Sequence, residues 1–383
     1  MSLMIRLTLL AAGMLVTTAA SAQIKIGVTL STTGPAASLG IPEKNTMTLV
    51  PKLIGGQKVE YIVLDDASDT TTARKNIEKL VTEDNVDAIV GSSTTPNTLA
   101  LTEVAARAKT PVVSLAAGIV LIKPMNEFKR WIFKTPYNDV IIASTAAHHM
   151  IQSGIKNVAY ITFNDAYGES WAKEFESVAK QLGLKIVAAE RYNGTDLSVT
   201  AQILKILSAK PDAVLVIASG TPAVLPEATL VERGFKGKVY QTSGVINNDF
   251  LRVGGKNVEG TFLPGGPVII VDQLQGNHPA KLPGMEYKSK YEAAFGANSL
   301  STFGANAWDA MLILQAAIPV ALKKAGRAGT PEFRVALRDA IESVKDLPTT
   351  HGLVTMSAED HNGYSFDAPA MITIRNGKWA TTK

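Results

Sequence analysis

Cysteine is absent from the 383 residues. Its absence excludes a disulfide framework, thiolate metal sites and a cysteine nucleophile. Histidine is scarce, at five, so a histidine-rich or cysteine-rich metal centre is not expected. Charge of either sign is thin: Lys+Arg 38 against Asp+Glu 34 gives a formal +4. An excess that slight, with no dense basic run, gives no case for nucleic acid as a partner. The motifs GxSxG, HExxH, GxxxxGK(S/T) and GxGxxG are all missing, so no hydrolase, metalloprotease or nucleotide-binding signature is present and no cofactor is expected. What the chain does have is apolar content. At 46% hydrophobic it is not intrinsically disordered, and a domain of about 100–200 residues makes two domains the natural expectation.

Residues 1–22 read MSLMIRLTLLAAGMLVTTAASA. Arg6 precedes an apolar run from Leu7 to Val16, and Ala20-Ser21-Ala22 fits a small-residue cleavage site. This is the pattern of a secretory signal peptide, too short in its apolar part to span a bilayer. The mature chain is expected to start at Gln23 and to be exported to the periplasm. No later stretch reads as a membrane span.

Beyond Gln23, apolar runs of strand length alternate with segments of helical period. Ile24–Leu30, Val59–Leu64, Ala88–Val90 and Pro111–Leu115 read as strands. Thr72–Glu83 places Ala73, Ile77, Leu80 and Val81 on one face, the spacing of an amphipathic helix, and Asn97–Lys109 reads as another helix. The pattern then restarts. Val158–Thr162, Lys185–Ala189, Ala213–Ala218 and Val239–Gln241 are strands, with helices over Ser170–Leu182, Val199–Ala209 and Pro222–Arg233. Such alternation predicts βαβ units and parallel sheets covered on both faces. Tyr287–Lys324 is strongly helical, with Pro319 expected to bend or end it. The tail from His351 reads as short strands and turns, with turn signals at Asn362-Gly363 and Asn376-Gly377. The fold class is α/β, two doubly wound lobes. Residues 23–136 plus 265–350 are expected in lobe I, and 137–264 plus 351–383 in lobe II.

Ligands of open parallel sheets bind beyond the carboxyl ends of the strands. After Ala88–Val90 comes GSSTTPNT, where Thr94 and Thr95 precede Pro96; Thr95 reads as an N-cap and Pro96 as the first helical residue. A helix start of this kind attracts a carboxylate or a phosphate. After Pro111–Leu115 come Ala116, Ala117 and Gly118, small enough for a ligand to approach the backbone. In the second half, FNDAYGES puts Tyr167 at the opening of a helix. Ser219-Gly220-Thr221-Pro222 is a second hydroxyl-then-proline start, and Thr242-Ser243-Gly244 follows the last strand. Recurrence of such starts at one sheet edge in both halves frames a cleft.

Together with STTGPAASLG at Ser31–Gly40, LDDASD at Leu64–Asp69, IVGSSTTPNT, PVVSLAA, NDAYGES and TSGV, these stretches resemble the solute-binding proteins of branched-chain amino-acid ABC transporters, the leucine/isoleucine/valine-binding type. The resemblance spans Ile24–Lys383. It implies a type I periplasmic fold: two lobes, three hinge crossovers, and a ligand trapped on closure, with no catalysis. It places Thr95 at a hydroxyl that meets the ligand carboxylate and Ala116 where the backbone meets the ligand. Tyr167 falls at a binding tyrosine, and Phe303 and Leu39 at the lining of the side-chain pocket. Two departures follow. Gly118 stands where amino-acid binders often carry threonine. Ser243 stands where they commonly carry an acid for the α-ammonium, and an unpaired ammonium in a closed cleft is costly. The implied ligand is therefore a small carboxylate, aromatic or other organic acid, with branched-chain or other amino acids as the alternative. The implied partner is an ABC permease, and the chain is expected to be a monomer. A ligand-sensing receptor subunit is the rival reading of the same fold.

Other candidates carry less. His148-His149 do not share a helical face. Asp65, Asp66 and Asp69 lack an EF-hand loop and read as capping and hydrogen-bonding residues. Asn193-Gly194-Thr195 fits a glycosylation sequon but reads as a chance match in a turn. Trp131, Trp171, Trp308 and Trp379 could stack a ligand, but Trp308 falls in the apolar helix and reads as core.

Overall fold

Two helix-flanked sheets account for the alternation of apolar runs and helical periods. The computed structural model describes residues 23–382; the segment read as a signal peptide lies outside the described residues. The first sheet contains β1 (Ile24–Leu30), β2 (Leu53–Ile54), β3 (Gln57–Asp65), β4 (Ala88–Gly91), β5 (Val112–Ser114) and β6 (Ile132–Lys134). Their order is β2-β3-β1-β4-β5-β6. All neighbours are parallel except the β2–β3 hairpin.

The second sheet takes β7 (Asn157–Phe163), β8 (Lys185–Tyr192), β9 (Ala213–Ile217), β10 (Lys238–Gln241) and β11 (Phe262–Gly265), all parallel. The tail supplies a two-stranded ribbon, β12 (Leu347–Thr349) with β13 (Gly352–Val354), and then β14 (Ala370–Arg375) and β15 (Lys378–Thr381). These last two add antiparallel to the edge of the second sheet, giving β15-β14-β11-β10-β9-β7-β8. Asn376 and Gly377, at φ 53 and 68, form the two-residue loop between them. Central strands are buried on both faces, as β9 shows with all five residues buried. That burial is why they read as continuous apolar runs rather than alternating ones.

The helices are α1 (Ala37–Met47), α2 (Thr70–Thr82), α3 (Thr95–Arg107), α4 (Asp139–Gln152), α5 (Ala166–Leu182), α6 (Thr200–Ser208), α7 (Val224–Glu232), α8 (Asn248–Gly254), α9 (Lys281–Phe295), α10 (Thr302–Ala325) and α11 (Pro331–Glu342). α4 packs on α5, β11 and β14, whereas α10 packs on α1 and α11 and touches β2 and β4. The chain thus moves from the first sheet to the second after β6, returns after β11, and crosses again between β13 and β14.

Several expectations need correction. Helix α3 begins at Thr95, and its N-cap is Thr94, extended at φ −123, ψ 152, whose Oγ1 accepts from the Asn97 N–H. Pro96 is therefore the second helical residue. The long helical stretch is two helices, α9 and α10, separated at Gly296. Pro319 does not end α10, which runs on to Ala325. Ile318 and Ala321 beside it are fully buried, and packing outweighs the one hydrogen bond that proline removes. By length and composition α10 is apolar enough to cross a membrane, contrary to the expectation that no later stretch is. Most of it is buried in the protein, where it forms the spine of the first lobe.

Candidate functional site

A cavity of about 250 Å3 lies where the carboxyl ends of the two parallel sheets face one another. The first lobe approaches it with the N-terminus of α3. β4 ends at Gly91, and four hydroxyl residues follow. Ser92 is turned inward, its Oγ donating to Asp66 Oδ2 at 2.5 Å. Ser93 accepts from the Ser31 N–H at 2.9 Å and donates to the buried Glu43. Burial pushes the Glu43 carboxyl well above its usual range, against the lowering effect of that Ser93 bond. Thr95 Oγ1 accepts from the Gly118 N–H at 3.2 Å. Ser93, Thr94, Thr95, Pro96 and Asn97 all line the cavity. The opening turn of α3, with the positive end of its dipole, therefore faces the cavity.

The second lobe answers with three strand ends. β7 leads to Asp165, which caps α5 by accepting from the Gly168 N–H at 2.9 Å. Burial raises the Asp165 carboxyl above its usual range. Tyr167 follows, 7% exposed. Its hydroxyl donates to Thr242 Oγ1 at 2.8 Å, and Thr242 in turn donates to the Ala218 carbonyl at 2.7 Å. The phenol is thereby pinned inside its own lobe, and burial raises its pKa. β9 and β10 contribute Ser219 and Ser243. From α10 come Thr302, Phe303 and Asn306, and from the crossovers Pro136, Tyr137, Gly266 and His351.

Of the residues singled out in the sequence, Leu39, Thr94, Thr95, Tyr167, Ser219, Ser243 and Phe303 meet at this cavity. Ala116, Gly118 and Thr221 do not line it. Leu115 and Ala117 flank Ala116 and reach the cavity instead, while Ala116 packs into the core of the first lobe and its N–H donates to Ser114 Oγ. Gly118 lies behind Thr95: a Cβ there would stand 2.7 Å from Thr95 Cγ2, so glycine is what lets the Thr95 side chain sit as it does. Beside Thr221, Pro222 is the lining residue. None of the four tryptophans lines the cavity; Trp308 packs with Tyr287 at 5.6 Å between ring centroids.

Asp165, Asn306, Tyr137 and His351 escaped the sequence reading, as did Gly194 and Thr195, read as a mere turn. Asp165 carried a signal, an acid three residues before Gly168 at a helix start. Tyr137 and His351 reach the cavity because the chain crosses between lobes there, Asn306 projects from the first turns of α10, and Gly194 and Thr195 follow the end of β8. The three aspartates act as read: Asp69 caps α2, and Asp66 also accepts from Ser31 Oγ.

A sequence profile of the family described as periplasmic binding protein matches residues 23–369. The chain belongs to the periplasmic binding protein family. It is 26% identical, over 91% of both chains, to the Leu/Ile/Val-binding protein homolog 3 of Brucella melitensis. Among solved structures, an extracellular ligand-binding receptor from Rhodopseudomonas palustris HaA2 is 44% identical, with TM-score 0.91, covering 94% of this chain and 100% of that one. A solute-binding protein of an R. palustris ABC transporter, in complex with benzoate, shares the fold at TM-score 0.80 and 20% identity, covering 94% of this chain and 96% of that one. This binding protein is thus of the branched-chain amino-acid type, with the two α/β lobes of a type I fold.

Proposed function

We propose that this periplasmic binding protein captures a small carboxylic acid, aromatic or other organic acid, between its lobes and hands it to an ABC permease without transforming it. The lobes divide as 23–136 plus 265–350 and 137–264 plus 351–383. The observation that carries the ligand class is the pairing of two surfaces. On one side the opening turn of α3, with Thr94, Thr95 and Asn97, offers hydrogen-bond donors to an anion. On the other side Ser243 offers no charge at the position where an ammonium partner would be required. Leu39, Phe163, Tyr167 and Phe303 supply an apolar and aromatic body between them. The benzoate bound by the R. palustris relative is a guest of this kind.

A second reading rests on Asp165, the carboxylate in the cavity lining. It could pair an α-ammonium and so serve an amino acid, as the name of the Brucella relative suggests. Asp165 is already committed to capping α5, and burial raises its carboxyl above the usual range, making the ionised form costlier to hold, so the acid reading is preferred. Calorimetry with benzoate and phenylpropanoid acids against leucine decides between them. The acids are expected to bind. Tight leucine binding with no response to any acid would overturn the ligand class, and turnover of a bound acid would overturn the non-catalytic role.

A further inference from the structure

Two buried side chains at the floor of the cavity hold hydrogen-bonding capacity that the protein leaves unused. Asn306, on α10, is 5% exposed and lines the cavity. Its side chain makes no hydrogen bond among the described residues, and Oδ1 is a buried oxygen without a partner. His351, 2% exposed, lines the cavity from the last crossover. Its Nδ1 lies 2.7 Å from Asp309 Oδ2 and 2.9 Å from Thr350 Oγ1, while Nε2 has no such partner.

The imidazole cannot turn away. Asp309, fully buried on α10, also accepts from the Thr350 N–H at 2.8 Å and from Thr350 Oγ1 at 2.9 Å. Tyr137 donates its hydroxyl to the His351 carbonyl at 2.5 Å. Gly266 packs against the ring so closely that a Cβ there would stand 2.4 Å from Nε2. Asn306 and Asp309 are three residues apart and share a face of α10. The free amide therefore stands one turn from the acid that holds the imidazole.

We propose that Asn306 and His351 form a second polar subsite that reads a hydroxyl group, so that the preferred guest is a hydroxylated carboxylic acid. This rests on the carboxylate reading above and adds the other end of the ligand. In the neutral tautomer that directs Nδ1–H at Asp309, Nε2 is an acceptor; the Asn306 amide offers both a donor and an acceptor. A hydroxyl is the smallest group that can donate to the imidazole nitrogen and accept from an amide N–H together. A second carboxylate only accepts, and would lie beside the Asp309 charge. An ammonium could donate to both Nε2 and Asn306 Oδ1, so it belongs to the amino-acid reading, which leucine titration tests. A guest with no polar group here fills the space yet leaves two buried groups without partners, the situation that a hydrogen-bonding site discriminates against most strongly.

The test is calorimetric titration of the full mature chain with benzoate and its 2-, 3- and 4-hydroxy derivatives, and with 3-phenylpropanoate and its ring-hydroxylated counterparts. At least one hydroxylated acid is expected to bind about tenfold or more tightly than its parent. Asn306→Leu, with Asn306→Ala as the second variant, is expected to bring that ratio to about twofold or less. The ratio is taken within one preparation, so a partly unfolded variant changes its active fraction and not the comparison. Hydroxylated and parent acids binding alike to the unaltered protein would overturn the subsite, as would a ratio that survives both Asn306 substitutions. If no acid binds while leucine does, the carboxylate reading itself falls, and the subsite with it.

Discussion

Glu227, on α7, shows what a single buried carboxyl does to the pH response of the fold. It is 1% exposed, accepts from Gln241 Nε2 at 2.9 Å, and takes a second hydrogen bond from Thr261 Oγ1. Burial dominates over both bonds and lifts its pKa from 4.5 to about 7. The folded state therefore holds this proton where the unfolded chain releases it. Stability from this group is present below 4.5 and is lost as pH rises toward 7. Relative to Glu227→Gln, which carries no proton to lose, the unaltered protein is expected to forfeit about 2 kcal/mol between pH 5 and pH 7. Denaturant unfolding of both proteins at the two pH values measures the difference. A gap that does not change with pH would mean that the carboxyl titrates normally in the fold.

At the scale of elements, helix starts carry both structure and site. Asp165 caps α5 and lines the cavity, so its two roles can be separated by substitution. Asn caps about as well as Asp, whereas Ala loses the cap. Asp165→Asn is expected to stay within about 0.5 kcal/mol of the original stability, and Asp165→Ala to lose about 1 kcal/mol. Removing the negative charge should tighten the grip on an anionic guest and loosen it on an amino acid. Thermal unfolding and calorimetry read the two effects. A stronger hold on leucine in Asp165→Asn would be incompatible with any ammonium contact at this residue.

Elements also mark the limit of what was legible in the chain. Strands buried on both faces and helices with one apolar face announce themselves by period, and β1, β9 and α2 were readable for that reason. α1 was not: Pro42 and Gly40 lie inside it, and both argue against a helix locally. What holds α1 is packing on α10, a contact distant in sequence. The site divides in the same way. Thr94, Thr95, Tyr167 and Ser243 stand directly after strands and could be found by the rule that ligands gather at strand ends. Asn306 and His351 come from a helix interior and a crossover. Their place at the cavity depends on how the lobes are joined, which no local pattern encodes.

For the molecule as a whole, the proposed capture of a ligand depends on two lobes meeting, and the contact between them can be named. Gly220, after β9 in the second lobe, faces α1 of the first: a Cβ there would lie 2.7 Å from Ser38 Oγ and 3.0 Å from Leu39 Cδ1. Thr302 at the head of α10 donates its N–H and hydroxyl to the Ile246 carbonyl, at 3.3 and 3.2 Å, from the other side. These contacts exist only with the lobes together, so a group that spoils them shifts the balance toward the open form and lowers apparent affinity by the fraction closed. Gly220→Ala does this, but it also strains the backbone, since φ is +64 and ψ −161, a region almost reserved for glycine. The two effects part in a double-mutant cycle with Ser38→Ala, which removes the nearest atom and one that is buried without a partner. Backbone strain lies within the second lobe and should add independently to the stability of the open, ligand-free protein. Loss of affinity should be non-additive, with Ser38→Ala recovering part of what Gly220→Ala takes. Small-angle scattering supplies the matching geometry. The radius of gyration of the unaltered protein should shrink on adding ligand, that of Gly220→Ala should shrink less, and the double variant should lie between them. Additive losses of affinity, with identical compaction in all three proteins, would mean that the lobes close without passing through this contact.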